Sequence, residues 1–406
     1  MQQSHGALGS SAPPLEARHQ PSGLNSKFIG SQLTFADYVA ASRDMLRKAH
    51  SALGAANLEK IIDGNAPFEM KPPAGFPPGQ NKTYPHKTYQ RGVLLTHGLS
   101  DSPYFMRHLA EFFQQNGFRV MAILLPGHGT QPGDLLDIKW QEWANAVAYG
   151  ADRLAEEADE IYLAGYSAGG ALSVYHSVRD QRVRGLFLFS PAFKVSPRAA
   201  YANLHRLHSW LIPSGKWVDI KPDRDINKYE SFPKNAAAQM HALTKELDAR
   251  LQTQEITIPV FAAASKDDVT VNASATIDFI ARTRNPSSKL VLYTTDPAKL
   301  LSDIPAEKTE LVNSILPEQH IISSAHTAIV LPGNDAHYGV SGEYSNCVHY
   351  YPDEMEKYSA CLAPPGQTLQ GEITEENLKA GILRRLMYNP NFAALKVSMR
   401  RFTDKL

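Results

Sequence analysis

Short apolar runs alternate with helix-spaced apolar positions through most of the chain. Gly92-Val93-Leu94-Leu95-Thr96 is followed by Ser102-Pro103 and then by Met106, Leu109, Phe112 and Phe113 on one helical face. Phe118 to Leu125 predicts the next strand and Trp140 to Ala158 the next helix; Ile161 to Ala164, then Ala168 to Val178, repeat the unit. Leu186 to Phe189, Ile258 to Ala264 and Leu290 to Thr294 predict further buried strands. Continuous apolar runs separated by helices mark a parallel sheet covered on both faces, so the pattern predicts a mostly parallel, doubly wound α/β sheet.

Five stretches lie outside the alternation. Met1 to Lys27 is rich in Ser, Gly, Pro and Gln without periodicity and is expected to be a flexible tail. Phe35 to Ala56 predicts a helix, and Ala66 to Gln80, with five prolines, a surface linker. From Ser196 to Glu255 the apolar positions Leu204, Leu207, Trp210, Leu211, Trp217 and Phe232 precede a helical stretch from Asn235 to Ala249, with no strand predicted. A helical insertion there would cover the carboxyl ends of the strands, where open α/β sheets bind ligands. Asp296 to Gln319 is a second, irregular insertion. The expected organisation is an N-terminal tail, helix and linker over 1–84, an α/β core over 85–195 and 256–406, and a helical cap over 196–255.

Composition narrows the possible partners. Lys plus Arg number 41 and Asp plus Glu 41, so the formal charge is zero and no basic block concentrates charge for a phosphate backbone or an anionic membrane. No apolar stretch approaches a bilayer span; Val120 to Leu125, among the best, is strand-sized. The first thirty residues lack the apolar segment of a secretory signal, which predicts either a cytoplasmic protein or a periplasmic or secreted one whose leader has been removed. Cys347 and Cys361 could form a disulfide, worth about 3 kcal/mol in the chain-entropy model, or remain thiols in a reducing compartment.

The specific motif is Gly165-Tyr166-Ser167-Ala168-Gly169, lying between the strand-like Ile161–Ala164 and a helix-like segment. In such a G-x-S-x-G elbow the glycines let strand and helix approach while the serine sits exposed on a tight turn. A serine hydroxyl is a weak nucleophile and needs a base, itself oriented by an acid, in the chain order Ser, Asp or Glu, His. The strand at Ile258 runs into Ser265-Lys266-Asp267-Asp268, and Asp268 is the preferred acid with Asp267 in reserve. Of the downstream His320, His326, His337 and His349, His326 ends the extended run from Ile321 and is the preferred base, with His337 in reserve. Two N–H donors for a developing oxyanion are expected at Ala168 and, in the loop His97-Gly98-Leu99, at Leu99. His97 is expected to brace that loop.

With Leu125-Pro126-Gly127-His128-Gly129-Thr130 after the second strand and Trp140 and Trp143 in the helix that follows, the chain resembles the α/β-hydrolase fold superfamily. Within it, the similarity is to capped serine hydrolases such as monoacylglycerol lipases and bacterial carboxylesterases. The resemblance runs strongly from Tyr89 to Val195 and less closely over Ile256 to Asp268 and Ser324 to His326. It implies Ser167 as nucleophile, Asp268 and His326 as its partners, and Leu99 and Ala168 as oxyanion donors; the H-E-x-x-H and Gly-Lys-Ser/Thr motifs are absent from the sequence, so no metal or cofactor is expected. His128 matches a loop position and is not thereby catalytic. Two departures stand out: Ser265 replaces the glycine usual before the acid, and a long interval separates Thr294 from His326.

The expected reaction is hydrolysis of a short to medium acyl ester or monoacylglycerol-like lipid through an acyl-enzyme. An acyltransferase or thioesterase would use the same residues, and a non-catalytic binding protein could occupy the same fold.

Overall fold

The computed structural model describes residues 14–76, 87–194, 213–298, 305–364 and 368–406. Eight strands form the central sheet: β1 (Phe68–Met70), β2 (Tyr89–Thr96), β3 (Phe118–Ile123), β4 (Ala158–Tyr166), β5 (Val183–Phe189), β8 (Val260–Ser265), β9 (Lys289–Thr294) and β10 (Thr309–Asn313). They lie in the order β1-β3-β2-β4-β5-β8-β9-β10, with only β1 antiparallel to its neighbour. Successive side chains on a strand point to opposite faces, so each apolar run supplies two cores. Leu94, Met121, Leu163 and Leu188 face helices α1 (Phe35–Ala52), α4 (Trp140–Glu157), α5 (Ala168–Ser177), α6 (Lys234–Leu251) and α7 (Ala273–Arg282). Val93, Val120, Tyr162 and Phe187 face α3 (Arg107–Gln115) and α10 (Phe392–Thr403), the last helix of the chain. The doubly wound sheet expected from the pattern is the one observed.

The departures come from segments whose partners are distant in sequence. Residues 14–27 are not a loose tail: Ser22 donates its N–H and hydroxyl to Asp134 (2.6 and 2.8 Å), and Asn25 donates to the His128 carbonyl (2.7 Å). Polar composition had suggested disorder, but these groups meet buried acceptors. The expected linker contains β1, which covers the edge of β3, where Phe68 pairs with Ala122 and Met70 with Val120. An edge otherwise open to pairing with another chain is thereby closed.

The expected all-helical cap instead contains a short antiparallel pair, β6 (Trp217–Asp219) with β7 (Phe232–Pro233). Leu204, Leu207, Trp210 and Leu211, with His205 and His208, lie outside the described residues. The expected irregular insertion holds β10, parallel to β9 from Thr309 opposite Leu290 to Asn313 opposite Thr294. Its sequence, Thr-Glu-Leu-Val-Asn, lacks a continuous apolar run because it is a partly exposed edge.

Beyond β10 the chain adds α8 (Met355–Cys361), α9 (Glu375–Ala380) and a parallel pair, β11 (Leu369–Gly371) with β12 (Leu383–Arg385). Cys347 and Cys361 are joined in a disulfide within this region. No helix among the described residues is long and apolar enough to cross a membrane.

Candidate active site

Ser167 stands at the junction of β4 and α5 with φ 53° and ψ −114°, an unfavourable backbone for a non-glycine residue. Its neighbours explain how the turn is held. A Cβ on Gly165 would lie 2.2 Å from the Gly169 carbonyl oxygen, and one on Gly169 would lie 2.1 Å from that of Thr96, so both positions exclude a side chain. The Ser167 N–H donates to Phe189 of β5 (2.9 Å), and the Ser167 carbonyl accepts from Ala192 (3.0 Å).

The structure brings Ser167, His326 and Asp268 together. His326 Nε2 is 2.9 Å from Ser167 Oγ, and His326 Nδ1 is 2.6 Å from Asp268 Oδ2. With the serine hydroxyl donating to Nε2, the Nδ1–H donates to the carboxylate. Asp268 Oδ1 accepts from the N–H groups of Thr270 (2.7 Å) and Val271 (2.9 Å). Burial works to raise this carboxyl, but the facing ring and the two donors outweigh it and hold it below the usual carboxylate range. The Tyr166 ring stacks on His326 at 5.3 Å, and its hydroxyl donates to the His326 carbonyl.

The reserve residues lie elsewhere. Asp267 accepts from the Ser324 N–H (3.2 Å) and the Thr295 hydroxyl (3.2 Å), and burial pushes its carboxyl up. Ser265, standing where a glycine is usual, accepts from the Asp267 N–H at 3.1 Å and so closes the turn with its own hydroxyl. His337 is held between Asp225 (3.1 Å) and Glu343 (3.2 Å), away from Ser167. His320 is exposed, and His349 lines the cavity with its ring pushed down to about 4, chiefly by burial. His326 itself opens a 3-10 turn (His326–Ala328) rather than ending an extended run.

Leu99 and Ser167 both line one cavity, and a Cβ on Gly98 would come within 3.2 Å of the Ser167 Cβ, so the loop after β2 abuts the serine. The Ala168 N–H is the first of α5, one of the helix's orphan donors. His97 accepts from the Leu125 N–H (3.0 Å) through Nε2 and meets the Gly98 carbonyl (2.8 Å) through Nδ1, which makes it a neutral brace. Burial, its largest influence, holds it well below the usual histidine range. The fully buried His128 contacts the Pro126 carbonyl and the Trp143 ring and does not approach Ser167.

The cavity has a volume of about 510 Å³. Leu99, Phe232, Met240 and Val271 give it apolar walls, and Lys228, Glu230 and Arg385 add charged groups. Of the apolar residues expected to face it, Phe232 does; Trp217 is buried with its ring edge-on to His19. Among the described residues no group of three or more His, Cys, Asp or Glu side chains is placed to hold a metal.

Sequence reasoning missed the charged residues around the site. Lys228 reaches Asp101 (2.5 Å) and the Ser100 hydroxyl (3.1 Å), and the Tyr229 N–H donates to the Ser100 carbonyl (2.8 Å), clamping the loop that carries Leu99. A charge standing alone in sequence carries no signal of such a partner.

Glu230 accepts from the Tyr344 hydroxyl (2.6 Å), and its carboxyl is pushed up to about 7, mainly by burial. The folded protein thus binds a proton there that the unfolded chain releases, so this group's contribution to stability falls as pH rises from its unfolded value towards 7. Glu230→Gln is therefore expected to raise the thermal midpoint at pH 8 and not at pH 4.5, checked by calorimetry at both.

The family model for serine aminopeptidase S33 matches residues 88–296. The chain is 30% identical over 179 residues to a thermostable monoacylglycerol lipase of Bacillus sp. (strain H-257), covering 44% of this chain and 70% of that protein. It is 23% identical over 197 residues to a carboxylesterase of Bacillus subtilis (strain 168), covering 48% and 78%. A solved structure described under "LipS and LipT, two metagenome-derived lipolytic enzymes" has a TM-score of 0.46 at 21% identity, covering 59% of this chain and 95% of that one. The extent of the family match and the parallel sheet with its serine elbow make this chain a member of the serine aminopeptidase S33 family, with the α/β-hydrolase fold.

Proposed function

We propose that the protein hydrolyses carboxylic esters through an acyl-enzyme, with Ser167 as nucleophile, His326 as base and Asp268 as the orienting acid. The observation that carries this reading is the unbroken chain from Ser167 Oγ to His326 Nε2 (2.9 Å) and from Nδ1 to Asp268 (2.6 Å), opening on an apolar-walled cavity. His326 takes the serine proton as Oγ adds to the ester carbonyl. The carbonyl oxygen becomes an oxyanion facing the N–H groups of Leu99 and Ala168, each worth roughly 3 to 4 kcal/mol in comparable sites. Collapse breaks the ester C–O bond, and the imidazolium returns its proton to the departing alcohol. Water, deprotonated by the same ring, then releases the acid and regenerates Ser167. Asp268 holds the imidazole tautomer and offsets the imidazolium charge.

A lipase and an esterase among the relatives favour esters, and the walls formed by Leu99, Phe232, Met240 and Val271 favour an acyl chain over a sugar or a charged group. The division into a core over 85–195 and 256–406 with a cap over 196–255 belongs to the same proposal, because Lys228, Glu230 and Phe232 of that cap line the cavity. Incubation with a fluorophosphonate, followed by peptide mapping and assay on aryl acetate and butyrate, tests it. Labelling of Ser167 with parallel loss of turnover is the expected result; a folded protein that is neither labelled nor active overturns it. Across a series of aryl esters the turnover is expected to peak within short to medium acyl lengths, and a flat profile contradicts a shaped apolar pocket. Added acceptor alcohol separates transfer from hydrolysis by its product.

A further inference from the structure

His326 is not carried on a strand. After β10 ends at Asn313 the chain pairs Leu316 with Ile321, and the base follows in an isolated 3-10 turn. Asp268 lies in a separate turn after β8, so no shared ladder registers the two against each other. A misplacement near 1 Å in a reacting constellation costs about 100-fold in rate, and some other contact must fix their separation.

The segment around β11 runs beside the base. Gln370 donates its N–H to the His320 carbonyl (2.8 Å) and accepts from Ile322 (2.9 Å), and the Glu372 N–H donates to the Ser323 hydroxyl (2.9 Å). The Glu372 side chain is fully buried. Its Oε2 accepts the backbone N–H of His326 at 2.9 Å, and its Oε1 accepts that of Ile373 at 2.9 Å.

Arg385, paired with Gly371 across β11 and β12, completes the arrangement. Its Nε lies 2.9 Å from Glu372 Oε1, and its Nη2 donates to Glu372 Oε2 (3.2 Å) and to the Thr270 hydroxyl (2.7 Å). Thr270 is one of the two residues whose N–H groups hold Asp268. Arg385 is itself secured by its N–H to the Asn346 carbonyl (3.0 Å), next to the disulfide-bonded Cys347.

We infer that Glu372 and Arg385 are positioning residues: their ion pair ties the turn carrying His326 to the turn carrying Asp268, so that the ring faces the carboxylate and Ser167 at once. This rests on the reading of Ser167, His326 and Asp268 proposed above. A planar fork is required, because the guanidinium must meet a carboxylate and a hydroxyl in fixed directions, which a lysine ammonium on a flexible stem does not do.

The test uses the full chain carrying Glu372→Leu with Arg385→Met, and separately Arg385→Lys. Exchange of a buried ion pair for apolar residues of similar volume is often neutral for stability, whereas removal of one partner leaves an unpaired charge. For the double variant the thermal midpoint is expected to fall, because the N–H groups of His326 and Ile373 lose their acceptor, while the protein stays folded at assay temperature, with kcat on an aryl butyrate lowered by about 10- to 100-fold and KM changed by less than about threefold. Labelling of Ser167 by a fluorophosphonate should slow by a similar factor. Arg385→Lys should lie between the two, and it carries the test alone, by the same criteria, if the double variant does not fold.

A folded variant with kcat near wild type overturns the inference. So does a rise in KM with unchanged kcat, which would reassign these cavity-lining groups to substrate binding. Wild-type protein that labels at Ser167 but turns over no ester would instead sink the ester reading, and the labelling rates would still decide the positioning role.

Discussion

Ser167→Ala is expected to lower kcat on an aryl butyrate by about 10⁶-fold, the scale seen when a triad nucleophile is removed. The effect is large because water must then add to the carbonyl without a positioned oxygen, leaving only binding and oxyanion donors. The variant should fold as wild type does: the backbone of Ser167 is held by Phe189 and Ala192, and its hydroxyl contributes one hydrogen bond, to His326. A steady-state assay beside a thermal melt checks both halves. Turnover above a few per cent of wild type in purified protein would remove Ser167 from the reaction.

The second large effect separates two adjacent acids. Asp268→Asn is expected to reduce kcat by about 10⁴-fold, because an amide facing His326 Nδ1 no longer selects the tautomer that accepts the serine proton. Asp267→Asn should leave kcat within about tenfold, since Asp267 supports the Ser324 N–H and the Thr295 hydroxyl rather than the ring. The comparison is informative because both side chains share one turn, so a general disturbance of the loop would affect them alike. Equal losses in the two variants would contradict the assignment of Asp268, and so would a larger loss for Asp267→Asn.

Residues readable from the sequence are those whose constraint is local. The serine elbow is one: Gly165 and Gly169 are needed because their own neighbours, the Gly169 and Thr96 carbonyls, leave no room for a Cβ. Strand runs such as Val93 to Leu95 and Leu186 to Phe189 are another, because burial on both faces writes itself as continuous apolar sequence. Asp268 was legible through its place after a buried strand, and His326 through its place downstream of the acid. Each of these rests on chain order and on a period that a single sequence displays.

What only the tertiary structure decided has its partner far away in the chain. The polar stretch at Ser22 to Asn25 is ordered because Asp134 and the His128 carbonyl receive its donors. Phe68 to Met70 is a strand because β3 offers an edge, and β10 is a strand although none of its residues is fully buried, because β9 does the same. Lys228 reaches Asp101 from a distant segment, and Glu372 and Arg385, from the chain that follows His326, meet the turns of His326 and Thr270. A charged side chain looks the same in sequence whether it is solvated or paired, since pairing depends on which distant segment the fold brings within about 3 Å. Hydrophobic periodicity and glycine sterics therefore determined the sheet and the serine elbow from sequence alone, while long-range hydrogen bonds and ion pairs, invisible to any local pattern, decided how Asp268, His326 and the cavity wall are held.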